Sequence, residues 1–130
     1  MWEHCGIARD EKLLKEGLEK IPALRKEFYS NLKLPGGDKE LNQSLEHALR
    51  MVDFFEFGEL MCRDALLRDE SCGCHLREEH QTPEGEAKRR DDEYAHVSVF
   101  EYKGADNDAE LTKEPLEFKA LPLADRNYKS

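Results

Sequence analysis

A chain of 130 residues suits one domain with a modest core. It carries 29 acids against 20 bases, a net charge of −9, and such a surface repels phosphate backbones, which argues against a nucleic-acid partner. No apolar run approaches the roughly 18 residues of a membrane span, and the opening MWEHCGIARDEK lacks the basic start and apolar stretch of a secretion signal. These features point to the cytoplasm, to no direct membrane insertion, and to reduced thiols at Cys5, Cys62, Cys72 and Cys74.

Met1 to Ile7 carries Trp2, Cys5 and Ile7 with no capping residue before them, and reads as the last turns of a helix begun upstream. Asp10-Glu11 is a helix start with acids at the positive end of the dipole. Leu14, Leu18, Ile21, Leu24 and Phe28 then recur at helical spacing, with a kink predicted at Pro22. Leu34-Pro35-Gly36-Gly37 breaks that helix.

A second helix is predicted from about Asp38 to Arg68, with one apolar stripe through Leu41, Leu45, Ala48, Val52, Phe55, Cys62 and Leu66. Met51, Phe54, Phe57 or Gly58, and Met61 make a second stripe. A helix with two apolar faces needs cover on more than one side. Gly58 inside it suggests a close backbone approach. Residues 69–93 read as loop, HVSVFEYK as a strand, GADND as a turn, and Glu110 to Phe118 as a second strand that Pro115 confines to an edge or ends. LPLADRNYKS is an extended tail. The predicted fold is mainly α: a three-helix antiparallel, spectrin-repeat-like bundle over 1–68 with its first helix truncated. A loop, a small β-hairpin and the tail, 69–130, pack on it as part of one structural domain.

The chemistry-bearing stretch is ESCGCHLR, Glu70 to Arg77. Cys72, Cys74 and His75, with His80 and Cys62, are zinc-ligand types, but a C-x-C spacing with no second pair does not match zinc motifs. A Cys72 or Cys74 nucleophile beside His75 lacks an orienting third group. A tight turn held by packing and hydrogen bonds is the favoured reading. Glu78-Glu79 and Asp91-Asp92 are expected solvated acids in so acidic a chain, and Lys88-Arg89-Arg90 a salt-bridged loop. No G-x-G-x-x-G loop is present. Two self-standing alternatives remain on these residues: a small zinc or thiol protein, and a helical adaptor using Met51, Phe54, Phe57 and Met61 as a groove.

The runs GELMCRDALLRDESCGCHLREEH, RRDDEYAHVSVFEY and LADRNYK, in that order, resemble the C-terminal domain of the flavoprotein subunit of succinate dehydrogenase and fumarate reductase. L-aspartate oxidase is a more distant relative with a similar tail. The resemblance assigns Ser71, Gly73, His75 and Arg77 to a structural turn, Arg90, Asp91 and Asp92 to the R-D-D that follows, and Arg126 and Tyr128 to the closing motif. It implies that His75 and Arg77 direct polar groups toward neighbouring flavin-binding and capping domains. Cys72 stands where many members carry arginine, and a thiol cannot make an arginine's paired hydrogen bonds.

The parent implied by this resemblance interconverts succinate and fumarate with covalent FAD. It passes electrons to an iron–sulfur subunit and a membrane anchor, and sits peripherally on the inner face of the cytoplasmic membrane. The family's nucleotide fingerprint, flavin-linking histidine and substrate-binding groups all precede this segment. His4, His47, His75, His80 and His96 are therefore given none of those roles. The segment itself is expected to be non-catalytic, to bind neither FAD nor metal, and to have the rest of the subunit as its first partner.

Overall fold

The computed structural model describes residues 1–37, 41–104 and 107–124. Its first element is a single turn, α1 (Trp2–Cys5), followed by the two-residue strand β1 (Ala8–Arg9). Asp10 then caps α2 (Glu11–Asn31), its carboxylate accepting from the Leu13 N–H at 2.8 Å. Pro22 lies inside this helix, which continues unbroken to Asn31.

The next helix, α3 (Gln43–Leu67), begins later than the apolar periodicity predicts. Asn42 takes the N-cap, accepting from the Leu45 N–H at 3.1 Å while its amide donates to the Pro35 carbonyl at 3.2 Å. A side chain that satisfies both the helix end and the preceding turn fixes the start at that residue. Leu41 consequently falls outside the helix and is 90% exposed. The predicted start at Asp38 lies outside the described residues.

The two long helices run antiparallel. Early α2 meets late α3 in a core of Leu14, Ile21, Cys62 and Ala65, which Cys5 of α1 completes. Late α2 meets the middle of α3, where the Phe28 and Phe55 rings stand 5.5 Å apart edge to face and Arg25 pairs with Glu59 at 3.4 Å. Leu24 sits off this contact row and stays exposed. Close approach is built in by glycine. A Cβ on Gly58 would meet the Met1 sulfur at 3.1 Å and Ile21 Cδ1 at 3.7 Å, which is the approach its mid-helix position suggests.

The second part of the chain is tied down by pairings that local sequence does not announce. Strand β2 (Leu76–Arg77) runs parallel to β1, Ala8 opposite Leu76 and Arg9 opposite Arg77. The Glu78 N–H extends this ladder to the Arg9 carbonyl at 2.8 Å. Within the stretch read as loop, α4 (Asp91–Tyr94) forms one turn. Then β3 (His96–Glu101) and β4 (Glu110–Pro115) make the antiparallel hairpin, from His96 opposite Pro115 to Glu101 opposite Glu110. Pro115 ends its strand, three residues short of the predicted Phe118. Arg63 of α3 reaches Asp108 in the turn between β3 and β4 at 2.6 Å, and the Tyr94 hydroxyl on α4 donates to the Leu67 carbonyl at 3.3 Å. Residues 116–124 carry no helix or strand.

Candidate functional site

Arg77 is the organising residue. It is 2% exposed, an unusual place for arginine unless each donor has a partner. Its Nη1 donates to the carbonyls of Ala65 at 3.1 Å and Leu66 at 3.4 Å, in the last turn of α3, where helix carbonyls lack intrahelical donors. Its Nε donates to Glu79 at 3.2 Å, and Nη2 lies 3.6 Å from Asp69. Ser71, fully buried, clasps the Arg77 backbone from both sides: its hydroxyl accepts from the Arg77 N–H at 2.8 Å and donates to the Arg77 carbonyl at 3.0 Å. A buried guanidinium thus caps the end of α3, and its own strand is held in place by a serine.

The CGC stretch makes the reversal that returns the chain toward Arg77. Cys72 and His75 exchange backbone hydrogen bonds at 2.9 and 3.0 Å around Gly73 and Cys74. Gly73 has φ of +60° and the non-glycine Cys74 does not have positive φ, the II′ pattern of a two-residue reversal. The glycine is therefore required by backbone conformation, and no atom lies within 4 Å of where a Cβ would stand.

His75 is buried with both ring nitrogens engaged. Nε2 lies 2.8 Å from the Arg68 carbonyl and Nδ1 lies 2.8 Å from the Arg9 guanidinium. A carbonyl only accepts and a guanidinium only donates, so the ring is neutral with its proton on Nε2. Burial pushes the His75 pKa down and the Arg9 charge pushes the same way, partly opposed by the bond to Arg68. His75 therefore links the end of α3 to β1.

Around this turn lies an ion network. Glu70, 2% exposed, accepts from Arg68 Nη1 at 2.8 Å and from the Arg90 backbone N–H at 2.8 Å. Arg68 also donates to the Tyr94 and His96 carbonyls at 3.2 and 2.8 Å, fixing the root of the hairpin. Asp69 accepts from His80 at 2.6 Å and from Arg90 at 3.1 Å, and the His80 bond, with the Arg77 and Arg90 charges, holds its carboxyl below the usual range. Tyr94 presents its ring to Arg90 at 5.5 Å and Arg68 at 5.7 Å.

Ser71, Gly73, His75, Arg77 and Arg90 are accordingly brought together. Asp91 stands beside them, accepting from Arg89 at 2.8 Å, and Asp92 is exposed on α4. Arg126 and Tyr128 lie outside the described residues. The polar groups of His75 and Arg77 are engaged within this chain, by the carbonyls ending α3 and by the side chains of Arg9, Asp69 and Glu79. Sequence reading missed Arg9, Arg68, Asp69 and Glu70. The signal available for them was the density of charge on either side of the turn.

The zinc-ligand types are dispersed among other partners. His80 is bound to Asp69, and Cys62 faces Cys5 in the core. Among the described residues no three His, Cys, Asp or Glu side chains form a metal-holding group. The Cys5 thiol and then burial push the Cys62 pKa up, whereas the Cys62 thiol, aided by Arg9, draws Cys5 down against the effect of burial.

The second stripe of α3 lacks cover, with Phe54 60% and Phe57 62% exposed. These two rings contribute to two cavities. One, of about 570 Å³, opens between α3 and the hairpin among Phe54, Phe57, Leu60, Phe100 and Tyr102, with Arg25 and Arg63 among its walls. The other, of about 430 Å³, opens between α1 and α3 among Trp2, Ile7, Phe54, Phe57 and Met61. Among the described residues no helix is long and apolar enough to cross a membrane.

A family profile described as the fumarate reductase flavoprotein C-terminus matches residues 1–128. The chain belongs to this family. The Escherichia coli fumarate reductase flavoprotein subunit is 26% identical over 128 residues, covering 98% of this chain and 20% of that protein. A Vibrio cholerae L-aspartate oxidase is 32% identical over 78 residues, covering 58% of this chain and 13% of that one. Among solved structures, a variant of the E. coli quinol fumarate reductase chain FrdA superposes with a TM-score of 0.78 at 25% identity, over 96% of this chain and 20% of that one. The chain thus spans about a fifth of the length of the fumarate reductase proteins it matches. The helical architecture with a C-terminal hairpin is that of the family's C-terminal domain.

Proposed function

We propose that these residues are the non-catalytic C-terminal domain of a flavoprotein subunit that interconverts succinate and fumarate. The observation that carries the reading is the family match from end to end, 1–128. The uncovered aromatic face of α3 supports it, because Phe54 and Phe57 offer the large apolar surface that a flavin-binding or capping domain would cover. In this reading Arg77, His75 and Ser71 hold the end of α3 and β1 at a fixed angle, so that face is presented rigidly. Arg90 and Asp91 extend the same scaffold to the hairpin, with Asp92 beside them on α4, and Arg126 and Tyr128 close the tail.

The FAD of such a subunit would be covalent and carried outside these residues. Among the described residues, the positive-φ glycines Gly36, Gly73, Gly85 and Gly104 lie far apart in the chain, which does not support a glycine-rich phosphate cradle here. In this reading no step of the flavin's chemistry runs through the segment. The parent's further partners are an iron–sulfur subunit that takes the electrons and a membrane anchor, which places the parent peripherally on the inner face of the cytoplasmic membrane.

The similarity to an L-aspartate oxidase, 32% identical over 78 residues, supports a second reading as the tail of an aspartate-oxidising flavoenzyme. One assay separates the two. The product of the whole reading frame containing these residues is tested for dye reduction with succinate and with L-aspartate. Turnover with succinate alone supports the first reading, turnover with aspartate alone replaces it with the second, and turnover with neither refutes both. The 130-residue segment alone is expected to show none.

A further inference from the structure

Cys5 ends α1, and Cys62 lies within the last two turns of α3. Both sit in the core beside Leu14, Ile21 and Ala65, 6% and 0% exposed. The two thiols interact within this cluster, each being the first influence on the other's titration. Gly17 of α2 leaves room for them: a Cβ there would stand 3.1 Å from Cys62 Sγ and 3.2 Å from His4 Cβ. Cys5 Sγ also lies 3.6 Å from the carbonyl of Met61, the residue before Cys62.

The two thiols differ in access. The cavity of about 430 Å³ between α1 and α3 has Cys5 in its wall and does not have Cys62. Of the two residues, Cys5 is the one beside this cavity, and Cys62, 0% exposed, lies deeper. That is the layout of an attacking and a resolving cysteine.

We infer that Cys5 and Cys62 are a modification site that hydrogen peroxide converts to a disulfide, stapling α1 to α3. The Cys5 sulfur attacks one peroxide oxygen and the O–O bond breaks. This gives a sulfenic acid on Cys5, and the departing hydroxide leaves as water with the thiol's proton. The Cys62 sulfur then attacks the Cys5 sulfur, the S–O bond breaks, and the second hydroxide leaves as water with the Cys62 proton. Two thiols lose two electrons to one peroxide, giving one disulfide and two waters. The bond joins α1 to α3, so oxidation fixes the α1 turn, with Trp2 on it, against the longer helix. The inference rests on Cys5 and Cys62 being neighbours in the core, which a domain covering Phe54 and Phe57 would leave unchanged.

The test uses the longest natural chain that carries these residues. The native protein is titrated with hydrogen peroxide, denatured, alkylated at its remaining thiols and digested for mass spectrometry. The expected result is a peptide pair joined through Cys5 and Cys62, lighter than its sum by two hydrogens and separated by dithiothreitol. Cys72 and Cys74, nearer the surface on the reversal, serve as the internal comparison. In a Cys62→Ala variant Cys5 should stop at the sulfenic acid and be trapped by dimedone. The wild-type cross-link needs no variant to fold and decides the matter alone. Full alkylation of Cys5 after peroxide has oxidised Cys72 or Cys74 overturns the inference, as does a Cys5 bridge to either of those two.

Discussion

Replacing Arg77 with methionine removes a buried cation while keeping most of the side-chain volume, and the structure sets the size of the loss. Two carbonyls at the end of α3 lose a charged donor. The one from Ala65 at 3.1 Å is well formed, and the one from Leu66 at 3.4 Å is marginal. A hydrogen bond to a charged group contributes about 1.5–3 kcal/mol, and the marginal one adds a fraction of that. The carboxylates of Glu79 and Asp69 are 38% and 47% exposed and stay hydrated when the arginine goes, so their pairs add no more than about 1 kcal/mol together. The expected loss is about 2–4 kcal/mol, a large fraction of the roughly 5–15 kcal/mol that stabilises a domain. Urea unfolding followed by far-ultraviolet circular dichroism measures it, with Glu79→Gln as the comparison for an exposed partner. Arg77→Lys keeps the charge but loses the forked geometry, and should fall between the two. A loss below about 1 kcal/mol for Arg77→Met, or one no larger than for Glu79→Gln, would refute the capping role.

Gly73→Ala places a side chain on a backbone with φ of +60° and open space around it, so its cost is backbone strain alone, about 1–2 kcal/mol by urea unfolding. Gly17→Leu overfills the contact with Cys62 and His4, and should lower stability by about 1–3 kcal/mol with a matching fall in the thermal midpoint. His75 has a folded-state pKa below that of the unfolded chain. Its contribution is therefore complete above the unfolded value of about 6.5 and is lost as pH falls from there through the folded value. Unfolding free energy measured from pH 7.5 downward, roughly one unit above that reference, should decline below it in the wild type and stay flatter in His75→Gln. Asp69, whose pKa is lowered by His80 first, contributes stability that is lost only at more acid pH, near and below the ordinary carboxyl value.

The long helices were legible because each pairs a capping or breaking signal with an apolar row at helical spacing. Asp10 before Leu14, Leu18 and Ile21 is one case, and Leu34-Pro35-Gly36-Gly37 is another. The hairpin was legible from the alternation in HVSVFE and from Pro115, which ends its strand. The start of α3 was misplaced because Leu41 continues the periodic row, whereas a side-chain cap at Asn42 decides where the backbone turns. The pairing of β1 with β2 had no local signature. Each strand is two residues long, and the contact joins Arg9 to Arg77, which are separated in sequence by both long helices. The same gap hid the interior character of the turn. The resemblance singled out Ser71, Gly73, His75 and Arg77, but an arginine and a histidine read as outward-facing until the carbonyls of Ala65, Leu66 and Arg68 are placed beside them. The surplus apolar face of α3 was legible for the opposite reason, since Met51, Phe54 and Met61 are too many apolar residues for a helix with one neighbour.

The central claim is that these residues are part of a larger succinate- and fumarate-converting flavoprotein. Its most direct test is the mass and flavin content of the natural gene product after acid denaturation. The account predicts a chain far heavier than the 15.1 kDa of this segment, with about one flavin per chain that remains attached once the fold is destroyed. A product of 15.1 kDa with no flavin would contradict it.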